Sequence, residues 1–352
     1  MSKKVLVAMS GGVDSAVAAL LLKQQGHDIG GITMKVWEND AIASDSTPDL
    51  NSIDAKSIAD RLGFPHHTVC LGEQFKTAVI DRFISDYANG KTPNPCVECN
   101  KHVKFGKLFE SVEKLGYDDI ATGHYARITQ DKNGNFQLQK AVDDKKDQSY
   151  FLWSIKKELL PHIHFPLGSL TKPEVREIAA ENGFSNAHRS DSQDICFIAD
   201  GDYAAFIRKH SDCEFPCGDF TDVDGKVIGK HTGLINYTVG QRKGLGVAFG
   251  KPMFVGCKNA SANTVTLCTD AELYEDTLTA SDVNILTGES FDSPVRLMAK
   301  IRYRHEPAIA TVTKLDDGRL QVKFDLPQRA IAAGQSVVLY DGDTVVAGGI
   351  ID

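Results

Sequence analysis

Two groups of residues in this 352-residue chain have the types and spacing for chemistry. The first is Ser10-Gly11-Gly12-Val13-Asp14-Ser15, which follows a short apolar run and opens an amphipathic stretch. Its glycines let the backbone turn tightly and aim N–H groups at a polyanion. Ser10, Ser15 and the following helix N-terminus add donors where peptide dipoles favour negative charge. The loop lacks the Gly-Lys-Ser/Thr ending of a Walker sequence and does not fit the dinucleotide pattern. Asp14 is out of place among anion donors unless Mg²⁺ accompanies the phosphates. Gly and Ser also build plain capped turns, so the local residues leave that second reading open.

The second group is thiols. Eight cysteines are too sparse for a disulfide scaffold in a chain this long, which leaves thiol chemistry, a metal site or burial. Cys96-Val97-Glu98-Cys99 is a Cys-x₂-Cys pair, and Cys196 lies far along the chain in Ile195-Cys196-Phe197. The apolar neighbours of Cys196 also suit an inert buried thiol. Cys70 reads as core, and Cys257 and Cys268 as structural. Zinc held by Cys96, Cys99, Cys213 and Cys217 is allowed by spacing, but the second pair is wider than the usual finger.

The elements that must position these groups are read from periodicity. Residues 5–9 predict a first strand, 15–24 a helix, 28–34 a strand, and 53–62 a helix ended by Gly63. Residues 65–69 and 119–122 predict further strands, and 75–87 a helix; residues 38–50 are polar, contain Pro48 and predict a surface loop. Alternation of this kind implies an α/β fold, a parallel sheet covered on both faces with its site at the strand C-terminal ends. Beyond about residue 200 the pattern changes. Short alternating runs such as Leu320-Gln321-Val322-Lys323-Phe324 are separated by Asp224-Gly225, Asp317-Gly318 and Asp341-Gly342. These predict antiparallel hairpins and a small barrel. The expected domains are 1–204 (catalytic, parallel sheet), 205–275 (small and linking) and 276–352 (β-barrel-like).

The net charge of -8 argues against a nonspecific nucleic-acid coat but permits local basic faces. Lys101, Lys104 and Lys107 form one cationic cluster, with 104 and 107 expected one helical turn apart on a shared face. Lys145-Lys146-Asp147-Gln148, Gln241-Arg242-Lys243 and Arg302-Tyr303-Arg304-His305 are further islands, the last with an aromatic ring able to stack on a base. No apolar run is long enough for a membrane span, and the N-terminal run is too short for a signal-peptide core, so the expectation is cytoplasmic.

Taken together, the motifs resemble a known family. Ser-Gly-Gly-x-Asp-Ser is the signature of the ATP pyrophosphatase superfamily, whose members have an adenine nucleotide hydrolase-like domain and adenylate a substrate oxygen. Thr92-Pro93-Asn94-Pro95, Cys99-Asn100-Lys101, Ala121-Thr122-Gly123-His124-Tyr125 and Asp147-Gln148-Ser149-Tyr150-Phe151-Leu152 narrow the resemblance to the tRNA 2-thiouridylases. Ser192-Gln193-Asp194-Ile195-Cys196-Phe197, the run from Tyr237 to Gly246, and Arg302-Tyr303-Arg304 extend it over essentially the whole chain.

The resemblance implies ATP held by Ala8, Met9, Ser10, Gly11, Gly12, Val13, Asp14 and Ser15, with Met34 and Gly123 at the nucleotide. It implies Asn94, Pro95 and Cys96 around the wobble uridine of a tRNA anticodon stem-loop, flipped so that C2 is reachable. His124, Lys146, Asp147, Gln148, Arg302, Tyr303 and Gln335 would touch the tRNA. Cys196 would take sulfur as a persulfide from a carrier protein, and Cys99 would be the nucleophile. The family pattern has an aspartate, assigned as a general acid/base, where this chain has Cys96. Thiol and carboxyl differ widely in acidity, so Cys96 is a proton-transfer group, a resolving thiol, or, with Cys99 and Cys196, a ligand of an iron–sulfur cluster. The readings from other classes are a non-catalytic RNA-binding sulfur relay, or another pyrophosphatase-type ligase of the arginine-biosynthetic or lysine-to-tRNA kind. The intact phosphate loop opposes the first, and the Cys99 and Cys196 motifs oppose the second.

Overall fold

A computed structural model of the chain describes residues 2–38, 41–42, 50–184, 195–198, 201–246 and 250–352. The chain divides into two compact units: Met1–Val79 with Cys96–Gln193 and Gly342–Val346, and Ile80–Pro95 with Asp194–Asp341 and Ala347–Asp352.

In the first unit Val5, Leu6 and Val7 have no exposed surface, as expected of a strand covered on both faces. Their strand, Lys4–Ala8, is the centre of a five-stranded parallel sheet. The order across it is His66–Cys70, Asp28–Lys35, Lys4–Ala8, Asp119–Thr122, Ile163–His164. The helix Val13–Gln24 is apolar nearly all round and buries two surfaces. Ala16, Val17 and Leu20 pack with Val175 and Ala179 of the helix Lys172–Glu181, while Ala19 and Leu22 pack with Val5, Val7 and Ile29. The chain winds outward from the central strand, then returns on its other side. That reversal opens a crevice between the carboxyl ends of Lys4–Ala8 and Asp119–Thr122.

Two expectations are corrected here. The helix expected over 75–87 is three pieces: Gly72–Phe75, a π-helical stretch Lys76–Asp81, and Arg82–Ala88. Lys104 and Lys107 do not share a face. They lie in a second π-helical stretch, Cys99–Leu108, whose wider turn rotates them apart. Lys104 reaches inward to His124, and Lys107 pairs outward with Glu110 at 2.9 Å. Most of the loop expected at 38–50 lies outside the described residues; at its start Trp37–Glu38 pairs with Ala41–Ile42 as short strands.

The second unit is mostly antiparallel. Its first sheet has the order Val227–His231, Gly218–Thr221, Thr264–Cys268, Phe254–Asn259, closed over a core of Phe220, Leu234, Tyr237, Val255, Val265 and Leu267. Six strands from Tyr274–Ile285 to Thr344–Ile351 then form a barrel, which the pairing of those two strands closes. Leu320, Val322 and Phe324 point inward and Gln321, Lys323 and Asp325 outward, the period-two pattern of the sequence. Gly225, Gly318 and Gly342 take the positive φ that their turns require. Among the described residues no helix is long and apolar enough to cross a membrane.

Candidate active site

The phosphate loop lies at the carboxyl end of the central strand, at the crevice. Gly11 has φ of 69°, and Gly12 begins the helix Val13–Gln24 without a side-chain cap, leaving the helix N-terminus to an anion. Ser15 Oγ accepts from the Ser10 amide at 3.2 Å and donates to the Gly12 carbonyl at 3.1 Å, so the loop is braced by its own side chain. The loop entrance is fixed by Met9, whose amide donates to Ile32 and whose carbonyl accepts from Thr33 Oγ1 at 2.9 Å. Met34 is half-buried near the end of the neighbouring strand.

Asp14 is paired within the fold. Lys172 Nζ donates to both of its carboxylate oxygens, at 2.7 and 2.9 Å, and the Tyr125 hydroxyl donates to Oδ1 at 2.9 Å. Lys172 is only 6% exposed, an environment a lysine tolerates only when paired. It follows the N-cap Thr171, whose capping box with Glu174 fixes where the helix begins. Gly123 covers the other side of the loop. A Cβ there would come within 2.8 Å of the Asp14 carbonyl carbon and the Ser15 nitrogen, so the motif after Asp119–Thr122 needs glycine for close approach.

His124 extends from the same motif. Its Nε2 is 3.2 Å from the Lys104 ammonium, which can only donate, so Nε2 is the acceptor and Nδ1 carries the proton. Nδ1 then donates to Thr122 Oγ1 at 2.6 Å. Burial between Phe105 and Phe165, and then the Lys104 charge, hold its pKa well below the ordinary 6.5, so the imidazole is neutral. Cys99 is buried on the Cys99–Leu108 stretch, whereas Cys96 is exposed one turn earlier. Desolvation nonetheless pushes the Cys96 thiol up, partly offset by the Lys104 charge.

Several residues expected to touch RNA spend their polar atoms internally. Asp147 is buried; its Oδ1 accepts from the Ala141 and Ser149 amides and its Oδ2 from Ser149 Oγ. Gln148 Oε1 accepts from the Tyr125 amide at 2.9 Å, holding the residue that contacts Asp14. Lys146 is half-buried in the turn before them.

In the second unit Arg302 Nη2 donates to the carbonyls of Val239 and Ala330, and Tyr303 lies under Lys300 at 5.7 Å. Gln335 Nε2 donates to the Thr92 carbonyl at 2.8 Å, and the Thr92 amide donates to Ala333 at 2.8 Å. The barrel thereby holds the strand of chain leading into Asn94, which is half-buried, and Pro95, which is buried. Arg242 and Lys243 are exposed.

Cys196 is exposed, and the adjacent Phe197 packs on Phe83 and Phe206. Ser192, Gln193 and Asp194 of that motif lie outside the described residues. All eight cysteines are thiols; Cys257 is exposed and Cys268 is buried. Among the described residues no three His, Cys, Asp or Glu side chains are gathered as metal ligands.

Lys172 and Tyr125 are the functional candidates that the sequence reading missed. The signal available was the capping box beside Lys172; what it could not give was the distance to Asp14.

A parallel sheet with a pyrophosphatase-type phosphate loop at its reversal point defines a nucleotide-dependent HUP-domain protein. Residues 3–200 match the family model described as the tRNA methyl transferase HUP domain. Residues 204–269 match the tRNA methyl transferase PRC-barrel domain, and 275–351 the aminomethyltransferase beta-barrel domain. The tRNA-specific 2-thiouridylase MnmA of Clostridioides difficile (strain 630) is 47% identical, across 100% of this chain and 99% of its own. That of Acetivibrio thermocellus is 46% identical, across 99% of each chain. The chain belongs to the tRNA-specific 2-thiouridylase family.

Proposed function

We propose that this protein uses ATP to replace the C2 oxygen of the wobble uridine in tRNA with sulfur. The observation that carries the reading is the internally braced Ser10–Ser15 loop at the carboxyl end of the central strand, in a chain aligned end to end with 2-thiouridylases. The C2 oxygen is a poor leaving group. Its attack on the α-phosphorus of ATP expels pyrophosphate and converts the oxygen into part of AMP, a good leaving group. The loop amides and the helix N-terminus of Val13–Gln24 bind the triphosphate; Lys172 adds positive charge beside them. Mg²⁺ suits the phosphates, and Asp14 is the carboxylate that would hold it, in exchange for its bond to Lys172.

The sulfur step starts from a persulfide on Cys196, loaded by a carrier protein. Its terminal sulfur attacks C2 and AMP departs. The Cys99 thiolate then attacks the inner Cys196 sulfur, which leaves sulfur on C2 and a disulfide that a reductant must reopen. This suits the cytoplasm, where thiols are kept reduced. His124, neutral and fixed by Thr122 and Lys104, is suited to contact the nucleotide base without adding charge. Asn94, Pro95 and Cys96 line the target base. The exposed Lys243 and Arg242 offer phosphate contacts.

Although two matched family descriptions carry the words methyl transferase, a phosphate loop supplies no methyl group. Nucleoside mass analysis of tRNA incubated with the protein, ATP, Mg²⁺ and a persulfide source separates the two chemistries. The expected product is 2-thiouridine, formed with AMP and pyrophosphate and lost in Asp14→Ala. A methylated nucleoside, or no product from folded protein, would overturn the reading.

A further inference from the structure

Lys258 has an environment that the reaction above does not use. It projects from the strand Phe254–Asn259, and its ammonium donates to the carbonyl of Tyr237 at 2.9 Å and that of Lys91 at 3.2 Å. The ammonium also lies 5.3 Å from the centre of the Tyr87 ring, which stacks on Tyr203 with centroids 4.9 Å apart. No carboxylate is among these partners, and desolvation alone lowers its pKa to about 8. A lysine held this way loses hydration without gaining an ion pair, so its worth to the molecule lies in what its two hydrogen bonds join.

Both carbonyls lead into the candidate site. Lys91 immediately precedes Thr92-Pro93-Asn94-Pro95, and the same chain runs on through Cys96 to Cys99. Tyr237 opens the loop that carries Arg242 and Lys243. Gly90, at φ of 77°, brings its turn so close to Lys258 that an added Cβ would lie 3.4 Å from Lys258 Cβ. On its other side the target-base loop is held by Gln335 and Ala333 of the barrel.

We propose that Lys258 is a positioning residue for thiolation, tying the loop of residues 92–95 to the Tyr237 loop and so fixing where the chain enters the Cys96–Cys99 turn. This rests on reading residues 92–99 as the thiolation site. The test measures amide exchange over residues 89–94 and the kinetics of tRNA thiolation in wild type, Lys258→Met and Lys258→Arg. The Met variant keeps the stem and removes the donor. Its loop amides should exchange about tenfold faster, and its kcat should fall about tenfold to a hundredfold with KM for ATP unchanged. Arginine, which restores a charged donor, should recover most of both.

Native kcat in the Met variant overturns the proposal, as does a lowered kcat with native exchange over the loop. If the Met variant does not fold, Gly90→Ala disturbs the same contact from the loop side and is read by the same two criteria. A wild-type protein that makes no 2-thiouridine defeats the functional reading instead; the exchange measurement, which needs no turnover, tells the two failures apart.

Discussion

A carboxylate in a phosphate loop repels its ligand unless its charge is offset, and Lys172 offsets Asp14 at 2.7 Å. The three cysteines proposed for the sulfur step differ in the same environment-dependent way. Cys99 is buried, Cys196 is exposed, and Cys96 is exposed with its thiol held protonated by desolvation. Cys99→Ser and Cys196→Ser should each lower thiolation by about a thousandfold or more, as loss of a nucleophile does. Cys96→Ser should leave reduced but measurable activity, down by about a hundredfold, the lower end of what one proton-transfer group contributes; quantifying 2-thiouridine in each variant checks the ranking. His124 gives a pH prediction. Its pKa is depressed below 6.5 in the folded state, so the unfolded chain binds the extra proton as pH falls through that value. The associated stability is therefore present above 6.5 and is lost on acidification. Denaturant unfolding from pH 7.5 downward should show a shallower acid slope in His124→Gln, which keeps a donor and an acceptor but cannot titrate.

Among the elements, the strand–loop–helix unit of residues 4–24 brings together the donors proposed for phosphate, and the strand Asp119–Thr122 leads into Gly123, which covers them. The contact between these two elements depends on one missing methyl group. Gly123→Ala would force its Cβ against the backbone of Asp14 and Ser15 at 2.8 Å, and backbone has no rotamer with which to yield. We expect ATP affinity to fall about tenfold to a hundredfold, a loss typical of a misplaced loop, with the circular-dichroism spectrum unchanged. ATP titration by calorimetry checks it; native affinity would show that Gly123 does not press on the loop. The π-helical stretch Cys99–Leu108 has the opposite character, since its wide turn separates Lys104 from Lys107 and commits only the former to His124.

Across the whole molecule, net charge of -8 means that tRNA must be captured by local basic surface. The structure sorts the basic islands into two kinds. Lys243 is exposed, whereas Arg302 ties two backbone carbonyls of the second unit together. Lys243→Ala should weaken tRNA binding and reduce the slope of log affinity against log salt by about one, with thermal stability unchanged. Arg302→Glu should instead lower the unfolding free energy by about 3 kcal/mol, since it leaves two carbonyls without their donor. Filter binding across a salt series and denaturant unfolding separate the two effects; an unchanged stability in Arg302→Glu would return that residue to the RNA surface.

The sequence alone determined the order of elements, because apolar period, glycine turns and the run at residues 5–9 are local signals. It also determined the Gly-Gly turn that opens the first helix and the hairpin-rich second half, whose Asp-Gly turns require positive φ wherever they occur. Tertiary structure decided the partners. Residues 14 and 172, 104 and 124, 91 and 258, and 92 and 335 have no fixed spacing that pattern reading can detect, yet each pair is in hydrogen-bond contact. Whether a polar side chain binds RNA or braces the fold depends on which atoms pack around it. For Asp147, Gln148, Arg302 and Gln335 that is set by parts of the chain their own neighbours in sequence do not specify.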